Sequence, residues 1–410
     1  MGQASDIAWD QPRVDFQFST TPTGQIPPNN NPNAVGPLFF NTGLLDTGAS
    51  GVLLARLSYL DSGATLVNPY QQATNPDTGN PVFYSESGVG NHQDLLDVYV
   101  DYTLVFNGNN DTQGGVLYDF NAFGRNNLDF GSFSAIVGMP VMMGKIVNID
   151  NSPVQNLEFI KVDLNTGVSQ FNDFSVNLAM RDFPLNKPTI DHDSNPNTPN
   201  ILDPDHINDT PPTFAPLPFV DGITATRGTA SDNGNFIVDT GAQLSMISTS
   251  IADTLGLKYE LDEFGNPIDP DHDVEQVLQV GGVGGQVDVP FVRIDELILP
   301  TTDGHEMVFE NVLVGVLDIS APDGVDESNN PLASPIIDGI IGMNLLTNGM
   351  APGAQADNAV TGVTFDFTNA ASGTGILSFE SNAQLVPEPA TLALFALALS
   401  TAAARRRRRI

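Results

Sequence analysis

One four-residue motif occurs twice in this chain, and each copy follows an apolar run. Residues 46–49 read Asp-Thr-Gly-Ala, and residues 239–242 read the same, 193 positions further on. An apolar run that ends in an aspartate predicts a buried strand with a carboxylate at its end. Two carboxylates a few Å apart cannot both ionise, so they share a proton, and one serves as base while the other serves as acid. The repeat therefore predicts two related halves that meet at a pair of aspartates.

The sequence around the motif separates the two copies from a chance match. A third Asp-Thr-Gly, at residues 77–79, lies in a polar segment rich in turn residues and predicts a surface turn. The other two copies share three later landmarks, namely Gly-Val-Gly, an apolar-apolar-Gly segment and an alternating run, at 88–90, 136–138 and 162–164 and again at 282–284, 340–342 and 365–367. Because the landmarks keep their order with similar spacing, they indicate an internal duplication. The extra residues of the second half fit an insertion near 320–335.

Length and composition favour two β-rich domains. The chain has 410 residues, of which 40% are apolar, and it is rich in glycine (38) and proline (30). A chain of this length is too long for one ordinary core. Short β-type runs such as 98–106 and 287–294 are more common than helical periodicity. We expect an N-terminal lobe, a polar linker, a C-terminal lobe and a separate tail, over residues 1–185, 186–215, 216–385 and 386–410.

Charge and residue usage exclude several classes of function. The net charge is -34, and five of the fifteen basic residues form the run at 405–409, so the body would repel nucleic-acid phosphates. The absence of cysteine excludes a thiol nucleophile, disulfides and thiolate metal sites. The five histidines form no His-Glu-x-x-His pair, and no Gly-x-Ser-x-Gly elbow occurs. We expect no metal and no cofactor. The Asp-rich segments 191–200 and 269–273 have two interpretations, a calcium-binding loop or an ordinary solvated loop.

The duplicated pattern resembles the aspartic protease superfamily, which includes pepsin-like and retroviral-type enzymes. The resemblance rests on Asp-Thr-Gly-Ala after an apolar strand, a Gly-rich segment and an apolar-apolar-Gly segment, and it covers residues 35–180 and 222–380. It implies a mostly β, bilobal fold of two related β-barrel lobes with a cleft between them. It also implies an aspartic endopeptidase that acts on a peptide or protein substrate, and we expect the chain to be a monomer.

The resemblance assigns roles to individual residues. Asp46 and Asp239 would be the catalytic pair, holding one water between them. The residues that would support the pair are Thr47, Gly48, Ser50, Thr240 and Gly241. The residues that would form flaps over a bound peptide are Tyr84, Gly88, Gly90, Gly282 and Gly284. Ordinary hairpin turns and a structural tyrosine are the alternative interpretation of the flap residues.

The C-terminus carries a second pattern, made of three parts in order. Val-Pro-Glu-Pro at 386–389 is followed by an apolar stretch at 390–404 and five arginines at 405–409. This tail resembles the PEP-CTERM sorting signal, which implies export, membrane retention through 390–404, and removal of the tail by an exosortase-type enzyme. A plain membrane anchor is the alternative. Residues 1–10 lack the features of a signal peptide, so we expect a truncated or misplaced start.

Two other functions remain open at the level of sequence. The first is a non-catalytic surface or matrix protein that uses the duplicated β fold for binding, since a sorting tail alone does not favour an enzyme. The second is a protease that acts only on itself or on neighbouring surface proteins during maturation. The separation of the Asp46 and Asp239 carboxylates distinguishes binding from hydrolysis, because hydrolysis requires both carboxylates within reach of one water.

Overall fold

A computed structural model describes most of both β-rich halves. The described residues are 2–19, 34–35, 41–55, 59–60, 66–67, 83–87, 93–107, 116–125, 133–164, 167–171, 173–181, 215–282, 285–320 and 336–382. The predicted linker at 186–215, apart from its last residue, and the sorting tail at 386–410 lie outside the described residues.

Strands make up most of the described chain, as the β-type runs of the sequence predict. The strands of the first half are β1 (Gly2–Gln3), β2 (Arg13–Ser19), β3 (Ala34–Val35), β4 (Asn41–Leu45), β5 (Val52–Ala55), β6 (Tyr59–Leu60), β7 (Leu66–Val67), β8 (Phe83–Ser87), β9 (Gln93–Asn107), β10 (Val116–Arg125), β11 (Ala135–Val137), β12 (Ile146–Asp150), β13 (Lys161–Leu164) and β14 (Phe174–Arg181).

The second half contains longer strands and two short α-helices. Its strands are β15 (Leu217–Arg227), β16 (Ala230–Val238), β17 (Met246–Ile247), β18 (Val274–Gly282), β19 (Gly285–Pro300), β20 (Glu306–Val316), β21 (Ile319–Ser320), β22 (Ile336–Ile337), β23 (Gly339–Ile341), β24 (Met350–Ala351), β25 (Ala354–Gln355), β26 (Val360–Asp366) and β27 (Thr374–Ser381). The α-helices are α1 (Thr249–Thr254) and α2 (Met343–Leu346), and 3₁₀ turns lie at Met139–Val141, Ser152–Asn156 and Ala370–Ser372. In the described part of the chain, no helix has the length and apolarity needed to span a bilayer.

The same three-strand arrangement occurs once in each half. In the first half, β11 pairs in parallel with β4 and antiparallel with β5. In the second half, β23 pairs in parallel with β16 and antiparallel with β17. The strands β4 and β16 are the apolar runs that end at the two Asp-Thr-Gly motifs, and β11 and β23 belong to the two apolar-apolar-Gly segments. Each motif is therefore presented by an equivalent set of strands.

Two large sheets organise the molecule. Among the described strands, the first half forms an eight-stranded sheet in the order β3-β2-β4-β11-β5-β10-β9-β8. The larger sheet begins with strands of both halves, because β12 pairs with β26 and β14 pairs with β27. It then continues through β15 into the strands of the second half. The mostly β, bilobal fold predicted from the sequence is confirmed, and this shared sheet holds the two lobes together.

Strand β26 is buried over most of its length and lies in the core. In β26 and the residue that follows it, Val363, Phe365 and Phe367 are fully buried, and the rings of the two phenylalanines stack with centroids 5.5 Å apart. Burying one such side chain contributes about 1.5–3 kcal/mol. The alternating run at 365–367, which the sequence pairs with the run at 162–164, therefore lies in the core where the two lobes join.

Candidate active site

Each Asp-Thr-Gly loop begins where a buried strand ends. The backbone N–H of Asp46 donates to the carbonyl of Val137, and the N–H of Asp239 donates to the carbonyl of Ile341, both at 3.0 Å. These bonds continue the parallel pairing of β4 with β11 and of β16 with β23. Because the strands on both sides are fixed, the two aspartates leave equivalent sheets at equivalent points.

The glycine of each apolar-apolar-Gly segment lies against the loop it supports. A Cβ on Gly138 would lie 2.4 Å from the carbonyl oxygen of Ala49, and one on Gly342 would lie 2.6 Å from that of Leu244. Only glycine allows so close an approach of two backbones. The next residue of each segment also donates a backbone hydrogen bond to the loop, at 2.8 Å in both halves, from Met139 to Ala49 and from Met343 to Ala242.

The two threonines of the motifs lock the loops to each other. The N–H of Thr47 donates to Oγ1 of Thr240 and the N–H of Thr240 donates to Oγ1 of Thr47, each at 3.1 Å. The hydroxyl of Thr47 donates to the carbonyl of Val238, and that of Thr240 donates to the carbonyl of Leu45, each at 2.6 Å. Both threonines are fully buried. Four reciprocal bonds therefore relate the two loops by an approximate twofold axis.

The glycines of the motifs bring the carboxylates together. The N–H of Gly48 donates to Oδ1 of Asp46, and the N–H of Gly241 donates to Oδ1 of Asp239, each at 2.7 Å. A Cβ on Gly48 would lie 2.4 Å from Cγ of Asp239, and a Cβ on Gly241 would lie 2.4 Å from Cγ of Asp46. Each carboxylate therefore lies against the loop of the opposite half, where a side chain would displace it.

The carboxyl groups of Asp46 and Asp239 are hydrogen-bonded to each other and titrate as a pair. Burial raises the pKa of Asp46 well above its usual range, and the neighbouring charge of Asp239 adds to this rise. Burial also raises the pKa of Asp239, but the hydrogen bonds that it accepts from Asp46 and from backbone N–H groups oppose the rise. Both pKa values are raised, so the pair holds a shared proton at a pH at which a free aspartate would have lost it.

The pair is reachable and carries no fixed counter-charge. Asp46 is 9% exposed, and Asp239 is half-buried. Among the described residues, no lysine or arginine forms an ion pair with either carboxylate. An acid and a base in hydrogen-bond contact, with some exposure to solvent, can act on one bound molecule.

The other predicted site residues have different outcomes. The carbonyl of Ser50 accepts from the N–H of Ala215 at 2.9 Å, and within the described residues no hydrogen bond joins Ser50 to Asp46. The flap residues Gly88, Gly90 and Gly284 lie outside the described residues. Tyr84 lies in β8 and Gly282 is the last residue of β18, each in a strand that pairs antiparallel with the next one. A flap role for these hairpins stays a prediction.

One contact of the site has no counterpart in the sequence pattern. The side-chain Nε2 of Gln11 donates to the carbonyl of Gly241 at 2.5 Å, and Nε2 of Gln243 donates to Oε1 of Gln11 at 3.2 Å. Gln11 lies outside both repeated motifs, so neither spacing nor periodicity marks it. Only the path of the chain before β2 brings it to the second loop.

In the described part of the chain, no cluster of three or more histidine and acidic side chains is placed to hold an ion. In the Asp-rich segment at 269–273, Asp269 accepts from the N–H of Asp271 at 2.8 Å and Asp273 forms an ion pair with Arg227. The other Asp-rich segment, at 191–200, lies outside the described residues.

Two models of known protein families match parts of this chain. Residues 228–345 match a family model described as Aspartyl protease, and this stretch contains the second Asp-Thr-Gly loop together with Gly342. This stretch is therefore similar to the aspartyl protease family. Residues 385–409 match the model described as the PEP-CTERM protein-sorting motif, which indicates export and sorting to the cell surface. Both families are those that the sequence resembles.

The search of curated protein sequences finds no match to this chain. Among solved structures, the aspartic proteinase from Irpex lacteus is similar over 93% of this chain and 98% of its own, with 10% identity and a TM-score of 0.44. The bilobal β fold of this chain rests on its own strand pairing in the two halves.

Proposed function

We propose that this protein is an aspartic endopeptidase that hydrolyses peptide bonds with Asp46, Asp239 and one activated water. The observation that carries the proposal is the contact of two carboxylates, one buried and one half-buried, from equivalent loops of the two halves. A non-catalytic binding protein would not need two carboxylates in hydrogen-bond contact, since their burial together is costly.

We propose that Asp46, whose pKa burial and the charge of Asp239 both raise, is the acid of the pair, and that Asp239 is the base. Asp239, the anion, accepts a proton from the water while the oxygen of that water attacks the peptide carbonyl carbon. Asp46, which is protonated, donates to the carbonyl oxygen, and a tetrahedral diol forms. Collapse of the diol breaks the C–N bond, and the proton held by Asp239 passes to the leaving nitrogen. Asp46 recovers its proton as the new carboxyl group forms, so the pair returns to its starting state.

The surroundings of the pair support this reaction by fixing its geometry in advance. The reciprocal bonds of Thr47 and Thr240 hold the two loops at one separation. The N–H groups of Gly48 and Gly241 keep each carboxylate in one orientation. Fixed hydrogen bonds in a partly buried site lower the barrier because nothing has to reorganise during the reaction.

The sorting motif supports a location for this activity outside the cytoplasm, at the cell surface. We propose that the protein is exported, held in the membrane through residues 390–404 and processed by an exosortase-type enzyme at the motif. We further propose that the two lobes cover residues 1–185 and 216–385, that the chain is a monomer and that it binds no nucleic acid. Its net charge of -34 favours the last point, because phosphates would be repelled.

The experiment that tests the proposal compares three single variants on an unbiased peptide library across pH. Asp46→Asn and Asp239→Asn are expected to lower hydrolysis by about 10²–10⁴-fold each, because each removes the acid or the base. Asp77→Asn, in the third Asp-Thr-Gly of the chain, is the matched control and is expected to retain full activity. A statine-type mimic of the diol is expected to inhibit the wild type. Wild-type rates in either dyad variant would refute the proposal.

A further inference from the structure

An N-terminal strap crosses from the second lobe to the catalytic pair. The strap, residues 2–12, starts with β1, which pairs in parallel with β20. Ser5 then fixes it with three hydrogen bonds, because its N–H donates to Asn348 at 2.7 Å, its hydroxyl accepts from the N–H of Gly349 at 2.9 Å and its carbonyl accepts from Asn344 at 3.3 Å. The start of the strap is thus held on the second lobe, and the chain then continues into β2 of the first.

The far end of the strap is held just as firmly on the first lobe. Asp10 accepts from the N–H of Ile160 at 2.8 Å and forms an ion pair with Arg13. The guanidinium of Arg13 lies 3.9 Å from the ring centroid of Phe159. The carbonyl of Pro12 accepts from the N–H of Leu45 at 2.9 Å, and Leu45 directly precedes the first catalytic aspartate. Gln11 is therefore fixed between two anchored neighbours.

Gln11 joins the strap to the second loop of the pair. Its Nε2 donates to the carbonyl of Gly241 at 2.5 Å, and its Oε1 accepts from Nε2 of Gln243 at 3.2 Å. The N–H of Ala8 adds a longer bond, at 3.4 Å, to the carbonyl of Gln243. A glutamine amide suits this place because it has both a donor and an acceptor. In the described residues, no equivalent side chain bonds to the carbonyl of Gly48 in the first loop.

We propose that Gln11 is a positioning residue for the catalytic pair, an inference that rests on the proposed function. Gly241 touches both carboxylates, because its N–H donates to Asp239 and its Cα lies against Asp46. Glycine has no side chain to restrict its peptide planes, so its orientation has to be fixed from outside. Gln11 supplies that restraint at the carbonyl, and it thereby sets the separation of the two carboxylates.

The position of Gln11 predicts an effect on catalysis more than on binding. The carbonyl of Gly241 belongs to the same peptide group as the N–H of Ala242, which donates to Oδ1 of Asp239 at 3.1 Å. Without the bond from Gln11, this peptide group can rotate, and the hydrogen bond from Ala242 that helps to orient Asp239 weakens. The affinity for substrate depends mainly on other contacts, so KM stays close to that of the wild type while kcat falls. Loss of one hydrogen bond of this kind corresponds to a fall of about three- to tenfold in kcat.

The test uses two replacements of Gln11 with opposite chemistry. Gln11→Met keeps the length of the side chain but has no donor, so its kcat is expected to fall by about three- to tenfold at every pH. Gln11→Glu has an O–H donor only when it is protonated, which happens below about pH 4.3 for a free glutamate. The ratio of its kcat to that of the wild type is therefore expected to be near one at low pH and to fall as pH rises.

Gln3→Met is the matched control, since Gln3 is an exposed glutamine of the same strap. Its kcat and its melting temperature are expected to equal those of the wild type. A wild-type kcat for Gln11→Met overturns the inference, and so does a pH-independent ratio for Gln11→Glu, because a merely structural glutamine would not respond to protonation of its replacement. If Asp239→Asn is inactive while Gln11→Met is fully active, only the positioning role fails. If Asp239→Asn is active, the proposed function fails.

Discussion

At the scale of single residues, the site keeps an electrostatic conflict that folding has to overcome. Asp46 is 9% exposed and hydrogen-bonded to Asp239, so two acidic groups share a place that water would solvate better. A proton shared by the pair resolves most of the conflict, because a protonated carboxyl group can donate to its neighbour. Burial raises the pKa of both groups. The free energy of unfolding therefore decreases when the second group ionises.

This conflict predicts that Asp46→Asn stabilises the protein in a pH-dependent way. The native state binds the Asp46 proton more tightly than the unfolded chain does, so this stabilising contribution is complete below about pH 4 and is lost as pH rises through the raised pKa. Asparagine does not ionise, so the variant loses no stability in this way as pH rises. The melting temperature of the variant minus that of the wild type is therefore expected to increase from pH 4 to pH 7.

Differential scanning calorimetry of both proteins over this pH range provides the measurement. Asp77→Asn, which changes an aspartate outside the pair, is expected to show no such trend. A difference that stays constant with pH, or a variant that is less stable than the wild type at pH 7, would contradict the assignment of the shared proton.

The sequence predicts the two aspartates of the pair, but it does not predict the contact that Gln11 makes with the second loop. Asp46 and Asp239 end apolar runs and recur with matched landmarks, so the strand pattern alone predicts where they lie. The contact of Gln11 with Gly241 joins residues 230 positions apart, and it depends on the course of the strap over the second lobe. No local pattern encodes that course.

At the scale of elements, the site depends on two loops held by their own strands and by each other. The hydroxyl of Thr240 accepts from the N–H of Thr47 and donates to the carbonyl of Leu45, and all three residues are fully buried. Because buried N–H and carbonyl groups need partners, the loss of one hydroxyl leaves two backbone groups unsatisfied.

Thr240→Val is expected to lower the free energy of unfolding by about 2–5 kcal/mol, since the N–H of Thr47 and the carbonyl of Leu45 lose their partner. Thr240→Ser keeps the hydroxyl and removes only a methyl group, so it is the matched control with a loss of about 1 kcal/mol. Urea unfolding of the two variants measures the difference. Equal unfolding midpoints for valine and serine would show that the reciprocal bonds contribute little.

The repeated elements were predicted well where the pattern is local and poorly where it is not. The apolar-apolar-Gly segments are β11 and β23 with the glycine that follows each, and both support the loops as their repetition suggests. The larger sheet in which β12 pairs with β26 and β14 with β27 was not foreseen. Those pairings join strands more than 190 residues apart, and alternation of apolar residues cannot specify such partners.

At the scale of the whole molecule, two halves form one site that neither could form alone. Each lobe supplies one aspartate, one threonine and one glycine, and every threonine bond described here crosses between lobes. The shared sheet and the N-terminal strap fix the lobes relative to each other. In the proposed mechanism, the acid and the base are therefore a single unit, and the removal of either one disables the other.

The most direct measurement of this unity is the rate of peptide hydrolysis by the double variant Asp46→Asn/Asp239→Asn beside the two single variants. If the pair is one catalytic unit, each single variant falls by about 10²–10⁴-fold, and the double variant is no slower than the slower single variant. If the two losses multiply in the double variant, or if one single variant stays within tenfold of the wild type, the aspartates act independently and the shared-proton mechanism is wrong.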